Sequence, residues 1–401
     1  ALGAAGLWLR RLSGPGGEAP AAPDAGAPPA GEWRAAWISY IELQGMDYTS
    51  AEAFRAGAAA MMDRCAGLGL NTVIVQVRPF GDALYPSALF PWSHICTGVQ
   101  GVSPGFDPLD ILLTEAHSRG LSFEGWINPY RLQASASSPG TLAADNLANT
   151  HPDWVAAAGG GLYLNPAIPE AAAYVVEGVA ELVRTYPVDG VHFDDYFYPT
   201  TDPAIDAARF AASGAADLAE WRRQNVTALV KAAHDAVKAA DPTLRFGVSP
   251  QGNPDNDMSQ QYSDVRGWLA AGSEDAVVDY LCPQLYWGYG YTLSNGSRRF
   301  AYENILAEWL AMPRGSAALY VGLGAYRIGE GDGGSNGDSV SGWSTGRALA
   351  DQVGTLRAAG AGGYALYRYG SLFQNTAWPQ LAEAECAALT AANAPDGGRA
   401  G

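Results

Sequence analysis

From Trp33 onward one unit recurs: a short run of β-branched and aromatic residues, a loop, then an alanine-rich amphipathic stretch that stops near Gly, Asp or Pro. Strands that alternate with helices pair in parallel, because each helix returns the chain to the edge it left. Eight units are legible. The periodicities predict strands over 34–39, 72–77, 122–128, 190–194, 245–249, 278–285, 319–325 and 363–368. They predict helices over 51–68, 107–119, 169–186, 215–240, 260–271, 299–311 and 345–359, with a last one near 378–392. Connections from helix to strand are short, whereas about thirty residues follow the second strand and about forty the third before a helix begins. That asymmetry predicts an α/β fold of the (β/α)8 TIM-barrel type, with long βα loops at the C-terminal face. The alternative is a doubly wound open sheet, but YIELQGMDYTS after the first strand lacks its glycine-rich phosphate fingerprint.

A barrel of this kind takes about 250 residues, so a chain of 401 accommodates one with elaborated loops. The expected division is a barrel domain over 32–393, a preceding segment over 1–31 and a disordered tail over 394–401. Residues 1–12, ALGAAGLWLRRL, carry a short apolar run ended by Arg10 and Arg11, followed by a Pro/Ala/Gly-rich stretch. This reads as a stem remnant and linker, too short to span a bilayer by itself, so membrane contact is expected only through an N-terminal signal or anchor. The corresponding location is extracellular or at the cell surface. Lys and Arg number 24 against 41 acids, and a net charge of −17 repels nucleic-acid phosphates. Cys65, Cys96, Cys282 and Cys386 form no C-x-x-C pair, and no ligand cluster argues for a metal or another cofactor. Asp255 and Asp257 in NPDNDMS match a calcium loop only loosely. Oligomeric state is not encoded legibly.

The chemistry concentrates in VDGVHFDDYFYPT, residues 188–200. Side chains alternate along a strand, so His192, Asp194 and Tyr196 share one face and Val191, Phe193 and Asp195 the other. The apolar pair belongs against the helices, which points His192 and Asp194 into the barrel. Paired acids beside Tyr196, Phe197 and Tyr198 suit a sugar site: glycoside hydrolysis uses two carboxyl groups, and aromatic rings stack on sugar faces. Asp194 is the expected nucleophile or base, with Asp195 or Asp82 as its acid partner; Glu42, Asp255 and Asp257 are further carboxylates on strand-following loops. His192 reads as a core histidine below the acid. The same parity groups Gln76 with Arg78, Glu124 with Trp126 and Asn128, Ser249 with Gln251, and Cys282 with Gln284 and Tyr286. Arg78, Asn128, Tyr130, Arg131, Gln284 and Trp287 therefore gather at the strand ends, where they can bind a ligand rich in hydroxyls.

Eight segments, WRAAWISY, VRPFGDALYPS, GWINPYR, GLYLNPAIPE, DGVHFDDYFYP, FGVSPQG, VDYLCPQLYWGY and LYVGLGAYR, occur in barrel order, and together they resemble the glycosyl-hydrolase-like 10 family over roughly residues 32–385. The pattern departs from the family at Glu124, where a histidine is expected, and at SPQGN. The resemblance implies a secreted or lipid-anchored bacterial surface glycosidase, the best-understood activity being cleavage of peptidoglycan strands stripped of their peptides. It implies Asp194 and Asp195 as the acid pair, with Arg78, Asp82, Asn128, Arg131, Asn165, Gln284 and Tyr286 lining the site. Tyr196, Tyr198 and Tyr326 complete the expected substrate-binding set. The rival reading is a carbohydrate-binding surface protein that retains the barrel and its aromatic groove without turnover.

Overall fold

The computed structural model describes residues 26–335 and 342–395. Most of the expected N-terminal stem and linker, residues 1–25, and residues 396–401 of the expected tail lie outside the described residues.

Nine parallel strand segments form one sheet: β1 (Trp33–Ile38), β2 (Thr72–Arg78), β3 (Ser122–Ile127), β4 (Gly190–Phe193), β5 (Arg245–Val248), β6 (Tyr280–Leu281), β7 (Ala318–Leu319), β8 (Val321–Gly324) and β9 (Gly363–Tyr367). Their order is β7-β6-β5-β4-β3-β2-β1-β9-β8. The two ends of that ladder are consecutive pieces of one run, parted only at Tyr320; β7 pairs with β6 and β8 with β9. The sheet thus closes on itself, and nine segments fill the eight positions of a (β/α)8 barrel.

A helix follows each position: α1 (Ala51–Gly67), α2 (Pro108–His117), α3 (Pro169–Thr185), α4 (Leu218–Ala240), α5 (Val265–Ala270), α6 (Tyr302–Ala311), α7 (Ala348–Ala358) and α8 (Pro379–Asn393). Their starts follow capping chemistry. Asp107 accepts from Leu109 N and Asp110 N ahead of Pro108, and Asp217 accepts from Glu220 N. Most elements agree with the sequence pattern to within three residues at each end, and two are much shorter. The sixth strand is confined to Tyr280–Leu281, because Pro283 has no N–H to give the ladder, although Gln284 still bridges to Gln251 and Gly322. The fifth helix begins at Val265 rather than near 260, since Tyr262 takes a left-handed conformation (φ 56°) and Asp264 caps the new start through Gly267 N.

The two-residue period sorts the core cleanly. Trp33, Ala35, Trp37, Ile74, Trp126, Tyr280, Cys282 and Ala365 fill the barrel interior as one cluster. Val73, Val75, Val77, Phe123, Val191, Phe193, Phe246 and Val248 face the helices in a larger one. The long loop after β3 folds into a three-stranded antiparallel sheet of Arg131–Gln133, Gly161–Leu164 and Val155–Ala158.

One position in the interior admits no side chain. A Cβ on Gly247 of β5 would overlap the Tyr280 ring, which crosses directly over it. Gly247→Ala is therefore expected to destabilise the barrel by about 2 kcal/mol or more, as overpacked cores do, seen as a fall in the midpoint of chemical denaturation.

Candidate active site

At the C-terminal mouth of the barrel a cleft of about 440 Å³ is lined by Trp37, Trp126, Asp194, Asp195, Tyr196, Ser249, Gln284, Tyr286, Tyr326, Tyr367 and Arg368. Asp194 and Asp195 follow β4 directly, so the strand itself delivers them there. Alternation sends Asp194 inward, as expected, and it is 4% exposed. Its Oδ2 accepts from Trp126 Nε1 at 3.0 Å and from Asn128 Nδ2 at 3.0 Å, while Oδ1 takes only a longer bond from Tyr196 N at 3.3 Å. The strand ends after Phe193, and Asp195, partly exposed, turns back into the cleft instead of continuing the alternation. Its Oδ1 accepts from Gln284 Nε2 at 2.9 Å, and the same nitrogen donates to Ser249 O at 3.0 Å, which fixes the amide's orientation.

Burial pushes the Asp194 carboxyl up to about 7, with the neighbouring Asp195 charge adding to it and Arg131 opposing. Burial also raises Asp195, but the hydrogen bond from Gln284 works against the rise. Of the two, Asp194 holds a proton near neutral pH. Oδ2 already accepts two hydrogen bonds at 3.0 Å, whereas Oδ1 accepts a single longer one and keeps a position for the proton, which therefore belongs on Oδ1.

The walls are aromatic. Tyr286 stacks on Tyr367, with centroids 5.6 Å apart, and Tyr326 meets both rings edge-on. Tyr196, 52% exposed, forms part of the rim, and the Arg131 guanidinium lies 5.6 Å from its ring and 4.6 Å from that of Phe80. Arg131 Nε is tied to Pro79 O at 3.1 Å. Arg368 is held in the wall by an ion pair with Glu42, whose carboxylate also accepts from Gly370 N.

The structure brings together Asp194, Asp195, Asn128, Arg131, Tyr196, Gln284, Tyr286 and Tyr326 from the sequence-derived set. It places the others elsewhere. Arg78 was expected to share the inward face of Gln76, but the register with β3 shifts between the two, so Arg78 pairs with outward-facing Ile127 and packs its guanidinium 3.7 Å from the Phe90 ring centre. Asp82 is fully buried away from the cleft, where it accepts from Gln100 Nε2 at 2.9 Å and faces His94 at 3.5 Å, fixing the loop after β2. Tyr130 and Tyr198 are buried in the outer core, the latter against the Arg222 cation. Asn165 ties two loops together, donating to Ile205 O and accepting from Ala167 N. Trp287 stacks on Phe300 outside the cleft lining. Among the remaining acids, Glu42 is the brace for Arg368, Asp255 forms surface ion pairs with Arg266 and Arg299, and Asp257 is buried beneath Gln251, accepting from its N–H at 2.9 Å. Trp37, Trp126, Ser249, Tyr367 and Arg368 join the site without having been selected from the sequence. Strand parity put Trp126 and Ser249 on the right faces, and it reaches Tyr367, which ends β9 on the same face as interior Ala365. Arg368 follows the strand, where alternation no longer applies, and its place in the wall is set by Glu42. Glu124 faces the interior well below the cleft, hydrogen-bonded to the Tyr280 hydroxyl.

A closed barrel whose mouth holds two carboxyl groups among tyrosines and tryptophans defines a protein built like a glycoside hydrolase. The pattern of the family described as "Glycosyl hydrolase-like 10" matches residues 32–336, and the chain belongs to that family. It is 38% identical over 323 residues to glycosyl hydrolase YngK of Bacillus subtilis (strain 168), covering 74% of this chain and 61% of that protein. It is 36% identical over 299 residues to glycosyl hydrolase DigH of Escherichia coli (strain K12), covering 67% and 65%. The chain thus spans less than two thirds of the length of these relatives. Among solved structures it is similar to the PgaB (BpsB) glycoside hydrolase domain from Bordetella bronchiseptica, with a TM-score of 0.56 at 15% identity over 89% of this chain and 99% of that one. It is also similar to alpha-L-fucosidase isoenzyme 2 from Paenibacillus thiaminolyticus, with a TM-score of 0.57 at 16% identity over 90% of this chain and 49% of that one. These likenesses are of fold.

The Trp126 hydrogen bond favours the ionised form of Asp194. Trp126→Phe is therefore expected to raise its pKa further, by about one unit, read from the carboxyl band in isotope-edited infrared titration.

Proposed function

We propose that the protein is a glycoside hydrolase that acts outside the cytoplasm on a bacterial cell-wall glycan, with peptide-free peptidoglycan strands as the first substrate to test. The observation that carries this reading is the pair of unlike carboxyls in one aromatic cleft: Asp194 keeps its proton near neutral pH, while Asp195 is supported as an anion by Gln284. The family membership supports glycosidase chemistry, and the names of the two relatives agree with it.

The roles follow from the electrostatics. Asp194 is the general acid: as the bond from the anomeric carbon to the glycosidic oxygen breaks, the proton on Oδ1 passes to the departing oxygen. Asp195, whose carboxylate Gln284 supports, is the second group: as its anion it either bonds the anomeric carbon, to be displaced later by water, or takes a proton from the water whose oxygen bonds that carbon, which completes the hydrolysis. This differs from the assignment drawn from the sequence, in which Asp194 was the nucleophile or base and Asp195 or Asp82 the acid, because burial acts more strongly on the inward-pointing residue. Tyr286, Tyr326, Tyr367 and Tyr196 supply stacking faces for the sugars, and Arg131 moderates the charge of the acid pair.

Purified protein incubated with sacculi, both intact and stripped of peptides, is expected to release reducing fragments detectable by mass spectrometry. Asp194→Asn should lower turnover by about a thousandfold or more while leaving the melting temperature near that of the wild type. Retention on the glycan without release by the wild type would identify a binding protein instead. The acid works only while protonated and its partner only while ionised, so kcat/KM should fall as pH rises through about 7, as Asp194 loses its proton, and fall again at lower pH, as Asp195 gains one. A profile flat from pH 5 to 9 would remove Asp194 from that role.

A further inference from the structure

A column of polar side chains runs down the barrel axis from the cleft, and the proposed reaction consumes none of it. Ser249 Oγ, in the cleft wall, lies 2.9 Å from His192 Nε2, and Trp37 Nε1 donates to the same nitrogen at 3.2 Å. On the other side of the ring, His192 Nδ1 lies 2.8 Å from the Tyr280 hydroxyl. That hydroxyl hydrogen-bonds Glu124, and Arg245 stands 3.6 Å from the same carboxylate. Arg245 in turn lines a pocket at the opposite, N-terminal end of the barrel.

The donor inventory gives the column a direction. An indole N–H can only donate, so His192 Nε2 is the unprotonated nitrogen and the neutral ring carries its proton on Nδ1. Burial, with the Arg245 charge adding to it, holds the imidazole neutral, its pKa lowered to about 3. Nδ1–H then donates to Tyr280, whose own proton turns to Glu124. At the upper end, Ser249 Oγ stands 2.9 Å from a nitrogen that has no proton, and two lone pairs would repel at that distance, so its O–H points down to Nε2 and shares that nitrogen's lone pair with the longer bond from Trp37. Only the lone pairs of Ser249 Oγ are left for the cleft.

We infer that Ser249 is a specificity-determining acceptor, receiving a hydrogen bond from an N–H or O–H donor on the bound sugar, and that His192, Tyr280 and Glu124 are positioning residues that fix its direction. The inference rests on the glycan-binding reading above. It also gives Glu124, the departure from the family pattern, a place at the foot of the column, away from the substrate.

Two measurements on the full chain test it. Side-chain ¹⁵N NMR of histidine-labelled protein should show His192 neutral with its proton on Nδ1, unchanged in Ser249→Ala and displaced in Tyr280→Phe. Calorimetry with chitotetraose and cellotetraose should show Ser249→Ala binding about tenfold more weakly, with Ser249→Thr restoring affinity. A penalty confined to chitotetraose identifies the acetamido N–H as the donor, and an equal penalty on both identifies a hydroxyl. A proton on Nε2 in the wild type, or undiminished binding by Ser249→Ala, overturns the inference. Failure of the wild type to bind either oligosaccharide overturns the role of Ser249 as an acceptor for their sugars, whereas the glycan reading stands or falls separately on release of fragments from sacculi and the direction of the column on the tautomer.

Discussion

The burial of Asp194 at the top of a closed barrel is the constraint around which the rest of the site is arranged. A carboxyl removed from water loses solvation that only hydrogen bonds and opposite charge replace. Here Trp126 and Asn128 both serve one oxygen, and Arg131 supplies a distant positive charge. The compensation is partial, and that is what leaves the group able to carry a proton near neutral pH. A carboxylate in full contact with water at the strand end would be ionised and could not serve as an acid at that pH.

The asymmetry of the acid pair comes from the end of β4. While the strand lasts, neighbours point to opposite faces, and Asp195 would be thrown against the helices. The strand stops at Phe193, so Asp195 is free to turn toward Gln284 on the neighbouring side of the barrel. Two acids adjacent in sequence thereby acquire different surroundings, which is the usual way that one site obtains both an acid and an anion.

Beneath the acids, the interior is not purely apolar. Trp37, His192, Tyr280 and Glu124 place polar atoms where water has no access, and each must satisfy another. Gly247 makes room for this by leaving the space that the Tyr280 ring occupies. Fold and site are coupled at this point: the packing that fills the barrel also sets which atoms of Ser249 face the cleft.

The sequence by itself determined the architecture and the centre of the site. Eight alternating units with short αβ and long βα connections leave little choice of fold, and period-two alternation in β4 fixes which way His192 and Asp194 point, because both are local properties of the chain. The same alternation carried Asn128, Gln284 and Tyr286 to the right end and face. It failed where regularity failed. Arg78 lies beyond a register shift that only pairing with β3 creates, and Pro283 cut the sixth strand short. Asp82, Tyr130, Asn165, Tyr198 and Trp287 sit on loops or strand flanks, whose side-chain directions depend on partners distant in sequence, such as Gln100, Ile205 and Phe300. Only the tertiary structure decided which carboxyl keeps the proton, because that depends on relative burial and on donors from other strands, and neither is a property of two adjacent aspartates.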